Sequence, residues 1–197
     1  MEGKTMGTQR LEAFTDGVIA IVITIMVLGI KVPHGATPEA LLASLPILLT
    51  YVLSFVNVGL FWNNHHHMLH ATSRVDGKVL WANMFLLFWI SLMPFVIRWI
   101  DESGFQAIPT AAYGVVLAMA AVAYLLLERA LIKCNGPKST LATAVGNDLK
   151  GKISLAIYTS AILLAFYRPW IAIVLYVANA LAWFLPDRRI ESLKKSD

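Results

Sequence analysis

Six apolar runs, each near the length needed to cross a bilayer and separated by proline, glycine or charge, dominate this sequence. A helix needs about 20 residues to cross roughly 30 Å of hydrocarbon. The runs cover residues 11–30, 41–62, 79–97, 108–127, 153–167 and 170–185. The last two are short and can borrow a turn from their flanks, with Lys150 and Lys152 snorkelling at the start of the fifth. Pro33, Gly35 and Pro38 separate the first two runs, Gly104 and Pro109 precede the fourth, and Gly136 and Pro137 follow it. Arg168 and Pro169 make a tight turn between the fifth and sixth, and Pro186 with Asp187 closes the sixth. Pro94 predicts a kink near the end of the third run.

Composition selects the solvent. Of 197 residues, 58% are hydrophobic and 14% charged, whereas a soluble domain carries about 25% charged residues. So much apolar surface cannot hide in one soluble core of this size. The expectation is an all-α integral membrane protein with a lipid bilayer for a partner, residues 1–197 forming one domain with six transmembrane helices. The net charge of +4 comes from basic residues scattered between the apolar runs, not from one patch, so no nucleic-acid partner is expected. A single cysteine, Cys134, excludes an intrachain disulfide and a thiolate metal cluster. The first run lacks a small-residue cleavage site and reads as a mature helix, not a removed signal.

With six crossings, 13 of the 16 lysines and arginines fall on one side, and only Lys31, Arg98 and Arg168 fall on the other. The basic side faces the cytoplasm. Both termini are therefore expected to be cytoplasmic, in a multi-pass protein of the cell (plasma) membrane. Trp62, Trp81, Trp99, Trp170 and Trp183 sit near the ends of the runs, where amphipathic rings favour the interface.

The first run is unusual. Its uncharged part, residues 17–30, holds only 14 residues, so to span it must draw Glu12 and Asp16 into or near the membrane. An ionisable group at that depth calls for a protein partner or water; the plainer alternative leaves Asp16 at headgroup level. At 100° per residue, Gly17, Ile21, Thr24 and Leu28 share a narrow stripe, with Asp16 pointing well away from it. Several copies around an axis would turn that stripe into a pore with hydrophobic constrictions and one polar ring. By periodicity alone such a stripe is far more often ordinary packing than a pore lining.

The end of the second run reads Trp62-Asn63-Asn64-His65-His66-His67-Met68-Leu69-His70 and holds four of the five histidines. Three readings compete there: histidines favoured by the helix C-terminus, a partner for Asp16, or, ranked last, a transition-metal site. No metal is expected. Five histidines are too few for the several histidine boxes of a di-iron membrane enzyme, and no hydrolytic triad, phosphate loop or two-cysteine motif is present, so no enzyme is expected.

The run from Arg10 to Ile21, with Arg10, Phe14, Thr15 and Asp16 at its fixed positions, resembles the first helix of the transmembrane protein 175 family of lysosomal potassium channels and bacterial relatives. That motif is Arg, three residues, then Phe-Ser-Asp, so Thr15 replaces a serine and keeps the hydroxyl. Trp62 followed by His65 and His66 resembles the family's Trp-x-x-His-His-Arg, with His67 where arginine is usual. The resemblance implies a potassium-permeable cation channel without a carbonyl filter, lined by the first helix in a homotetramer and needing no cofactor beyond permeant K⁺. It implies a hydrophobic constriction at Ile21, a hydroxyl layer at Thr24 and a further constriction at Leu28. It also implies a network of Arg10, Phe14, Thr15, Asp16, Trp62, His65 and His66 that holds the pore helix. The rival reading is a proton- or cation-coupled secondary transporter, with Asp16 and the histidines as a relay; against it, neither inverted repeats nor broken midplane helices are evident.

Overall fold

The computed structural model describes residues 7–146 and 149–184. The end of the sixth run at Leu185, the stop at Pro186 and Asp187, and the basic residues Lys4, Arg188, Arg189, Lys194 and Lys195 lie outside the described residues. Within them the chain is helical: α1 Thr8–Leu28, α2 Pro38–Ala43, α3 Leu45–His70, α4 Gly77–Ser91, α5 Met93–Ser103, α6 Ala107–Asn135, α7 Thr140–Val145, α8 Leu149–Ala165 and α9 Pro169–Phe184.

Among the described residues four helical segments are long and apolar enough to cross a membrane: α1 with 21 residues, α3 with 26, α4 and α5 together with 27, and α6 with 29. At 1.5 Å per residue even the shortest of these reaches about 31 Å. The two remaining apolar helices have 17 and 16 residues, or about 25 Å.

The punctuation acts through backbone chemistry. Thr37 caps α2, its side chain accepting from the Ala40 N–H, with Pro38 in the first turn. The expected second run is divided: Ser44 ends α2, and Pro46 opens α3 afresh. The Asp76 side chain caps α4 by accepting from the Val79 N–H at 2.9 Å. Pro94, which has no N–H to donate, coincides with the expected break, where the helix is interrupted at Leu92 between α4 and α5. Gly104 ends α5 at φ +68, a left-handed turn natural to glycine. Two helices outrun their apolar cores. The helix α3 continues past Trp62 to His70, and α6 continues to Asn135. The Asn135 side chain then accepts from the Ser73 and Arg74 N–H groups and donates to the Arg74 carbonyl, tying the α3–α4 connection to the end of α6.

The hub is α6, which packs against α4, α5, α8 and α9. Small residues make this possible, since Ala120 and Ala123 are fully buried and let neighbouring backbones approach. Gly114 faces the ring of Tyr176, whose hydroxyl donates to the Thr110 carbonyl at 3.2 Å. On the next face Tyr113 and Ser54 of α3 share a hydrogen bond at 3.0 Å. By contrast α1 lies on one side of the bundle, against α3, α4 and α5.

A methyl group at Gly114 would collide with the Tyr176 hydroxyl and approach Ile162 to 2.8 Å. Both neighbours are held by packing, so Gly114→Ala should cost about 1–3 kcal/mol. A thermal-unfolding scan of the purified variant should show a midpoint several degrees lower; an unchanged midpoint would mean this helix pair is looser than described.

Candidate permeation helix and its polar anchor

The first helix has two faces. Leu11, Thr15, Ile19, Val22 and Met26 recur at helical spacing and are buried against the bundle. The opposite stripe is exposed among the described residues: Gly17 and Thr24 are exposed, Ile21 is 59% exposed and Leu28 82%. Three of the four stripe residues are therefore a small residue and two bulky apolar ones. The fourth, Thr24, turns its hydroxyl back along the helix and donates to the Ile21 carbonyl at 2.8 Å.

Two polar layers fix the N-terminal half of α1. The inner layer is dry. Thr15 is fully buried, and its Oγ1 accepts from Asn83 Nδ2 of α4 at 2.9 Å. The carbonyl oxygen of Asn83 lies 2.9 Å from Nε2 of His65 on α3, itself 1% exposed. With the amide thus oriented, His65 carries its proton on Nε2 and donates it. Three helices meet through three side chains.

The outer layer is wet. Trp62 Nε1 donates to Asp16 Oδ1 at 2.8 Å. One turn earlier on α1, Glu12 Oε1 lies 2.8 Å from His66 Nδ1 and 3.7 Å from His70 Nε2. The Trp62 ring stacks on His66 with centroids 5.9 Å apart, and the His66 and His70 rings are 4.2 Å apart. Trp62, His66 and His70 form one i, i+4, i+8 ladder on α3 facing α1. Glu12, His66 and His70 also present one ligand atom each within 4.8 Å of one another, a set able to hold a metal ion.

Of the residues singled out in the sequence, Thr15, Asp16, Trp62, His65 and His66 all sit where α1 meets α3 and α4. Asp16 meets the indole of Trp62, and the carboxylate that meets a histidine is Glu12. Arg10 is exposed and makes no hydrogen bond or ion pair among the described residues. Phe14 is half exposed. The link that sequence reading missed is Asn83, without which Thr15 and His65 would not communicate; its only sequence signal is an amide inside the apolar stretch of α4.

An all-helical bundle with four helical segments, among the described residues, long and apolar enough to cross a bilayer defines a polytopic membrane protein. The sequence profile described as "Endosomal/lysosomal potassium channel TMEM175" matches residues 10–94. The chain is 49% identical over 188 residues to a potassium channel of Chryseobacterium sp. (strain P1-3), covering 95% of this chain and 98% of that protein. A Gallus gallus protein named "Endosomal/lysosomal proton channel TMEM175" is 33% identical over 109 residues, 49% of this chain but 22% of its own length. Among solved structures, a lysosomal potassium-selective channel TMEM175 homolog from Chamaesiphon minutus superposes with a TM-score of 0.74 at 27% identity, covering 90% of this chain and 96% of that one. The chain belongs to the TMEM175 family, a family of channels and not of enzymes.

Interhelical hydrogen bonds within membranes average about 0.6 kcal/mol and reach about 1.7, but orphaning buried partners costs more, about 1–3 kcal/mol. Asn83→Ala orphans both Thr15 and His65 and should lower the thermal midpoint clearly. Trp62→Phe removes one exposed bond and should lower it less. Equal losses in an unfolding scan of the two variants would deny the buried triad its leading part.

Proposed function

We propose that this chain is the subunit of a potassium-permeable cation channel, four copies of which place α1 around a shared axis. The observation that carries the reading is the stripe of Gly17, Ile21, Thr24 and Leu28, which is exposed among the described residues while the other face of α1 is buried against the bundle. The names borne by the relatives support it.

In this assembly Ile21 forms the narrowest ring, Thr24 a hydroxyl ring one turn further, and Leu28 a second constriction. A hydrophobic ring gates by dewetting, and hydroxyl oxygens replace part of an ion's hydration shell. No stack of backbone carbonyls takes part, and the reading needs no cofactor beyond the permeant K⁺. Thr15, Asp16, Trp62, His65 and His66 hold the pore helix in register and do not coordinate the ion, while Arg10 and Phe14 of the same motif stay exposed on α1. Residues 1–197 form one channel domain that crosses six times, α8 and α9 completing the count. Both termini lie in the cytoplasm, on the side that collects 13 of 16 basic residues, and the membrane is the plasma membrane.

The competing explanation for the stripe is contact with lipid. Liposomes holding the purified protein under a potassium gradient separate the two. In a pore, Ile21→Asn wets the constriction, raising potassium flux severalfold and eroding preference over sodium. A lipid-facing Ile21 gives a variant with unaltered flux and lower stability, which would sink the pore assignment. Saturable, coupled flux without unitary current steps would favour a secondary transporter.

A further inference from the structure

The pairing of Glu12 with His66 and His70 does more than anchor a helix. We propose that Glu12, His66 and His70 form a binding site for a divalent transition-metal ion of the zinc type, clamping α1 to α3 at one end of the bundle.

The ligand chemistry fits. One carboxylate oxygen and two imidazole nitrogens are a familiar three-protein-ligand set for zinc, leaving the fourth tetrahedral position to water. Zinc bonds of about 2.0–2.1 Å to such atoms place ligands roughly 3.3 Å apart around a tetrahedron. Glu12 Oε1 stands 2.8 Å from His66 Nδ1 and 3.7 Å from His70 Nε2, bracketing that spacing, and all three atoms lie within 4.8 Å of one another. His66 and His70 are one turn apart on α3, so the helix itself presents both rings on one side. Glu12 comes from α1, so a bound ion bridges two helices.

The surroundings favour a cation and restrain its ligands. The His66 ring is held by the stacked Trp62 indole, and Trp62 in turn is held by Asp16. That places a second carboxylate one turn along α1 from Glu12 and adds negative charge near the ion. The His70 side chain is 63% exposed, which leaves it room to move toward the ion and leaves the ion a path from water. His65, by contrast, is spent on Asn83 and contributes nothing.

The test uses the full-length protein in detergent, freed of any polyhistidine tag. Zn²⁺ is titrated by calorimetry, and Co²⁺ by its visible spectrum, whose intense bands mark tetrahedral binding. One ion per chain is expected, with the affinity falling roughly tenfold or more in both His70→Ala and Glu12→Gln. Zn²⁺ should also raise the thermal midpoint of the wild type and leave that of His70→Ala where it was. Equal affinity in wild type and both variants would put the ion elsewhere, and absence of binding at micromolar metal would remove the site. Because His70 is exposed, its replacement leaves the fold intact. Because the readout is binding and not flux, failure here leaves the channel reading untouched.

Discussion

The hydrogen-bonded line from Thr15 through Asn83 to His65 is the contact on which the placement of α1 depends. Inside a membrane a polar side chain has no water to fall back on, so it must find protein or remain expensive. Here a hydroxyl, an amide and an imidazole from three separate helices satisfy one another at 2.9 Å. Apolar packing alone would allow α1 to rotate or slide, because lipid tails are nearly as good a neighbour for Leu11, Ile19 or Val22 as the facing helices are. A directional bond to a fully buried threonine does not permit that. It sets the rotation of α1, and with it the direction in which Ile21 and Thr24 point.

The remaining helices show the opposite economy. Around α6 the close contacts come from small residues and tyrosines, with Gly114 against Tyr176 and Tyr113 bonded to Ser54. That half of the bundle is a dense scaffold, whereas α1 is a single helix laid on its side and fastened by two polar layers. The dry layer fixes position. The wet layer of Asp16, Trp62, Glu12, His66 and His70 lies where water competes, so its bonds exchange partners at lower cost. A helix held this way is rotationally defined yet not welded to the scaffold.

The positions of the helices were legible because apolar runs and their breakers report them directly: Pro94 marked the interruption at Leu92, and Gly104 marked the end of α5. Helix ends were not legible where a helix outlives its apolar stretch. Residues from Asn63 to His70 carry no hydropathy signal, yet they continue α3 because their side chains find partners on α1 and elsewhere. In the site, the two faces of α1 followed from periodicity, and Thr15, Asp16, Trp62, His65 and His66 from the family resemblance. The pairing did not. Two carboxylates one turn apart opposite an indole and several imidazoles allow several matches, and only the rotation of both helices gives Asp16 to Trp62 and Glu12 to His66. Asn83 was invisible for a related reason: one amide in an apolar run has no period and no motif, only a cost that implies a partner somewhere.

The hydroxyl of Thr24 carries the argument one step further. Its proton is committed to the Ile21 carbonyl of its own helix, so what the group offers outward is lone pairs. In the proposed assembly, a ring of such oxygens attracts cations and has nothing to donate to anions. The Asp16 carboxylate is meanwhile held off the stripe by the Trp62 indole. Preference for a cation then needs no fixed negative charge in the lumen, which would bind ions tightly and slow their exit. In that proposed assembly an apolar ring limits wetting and a neutral, pre-oriented acceptor ring meets the ion, two different jobs placed one turn of helix apart.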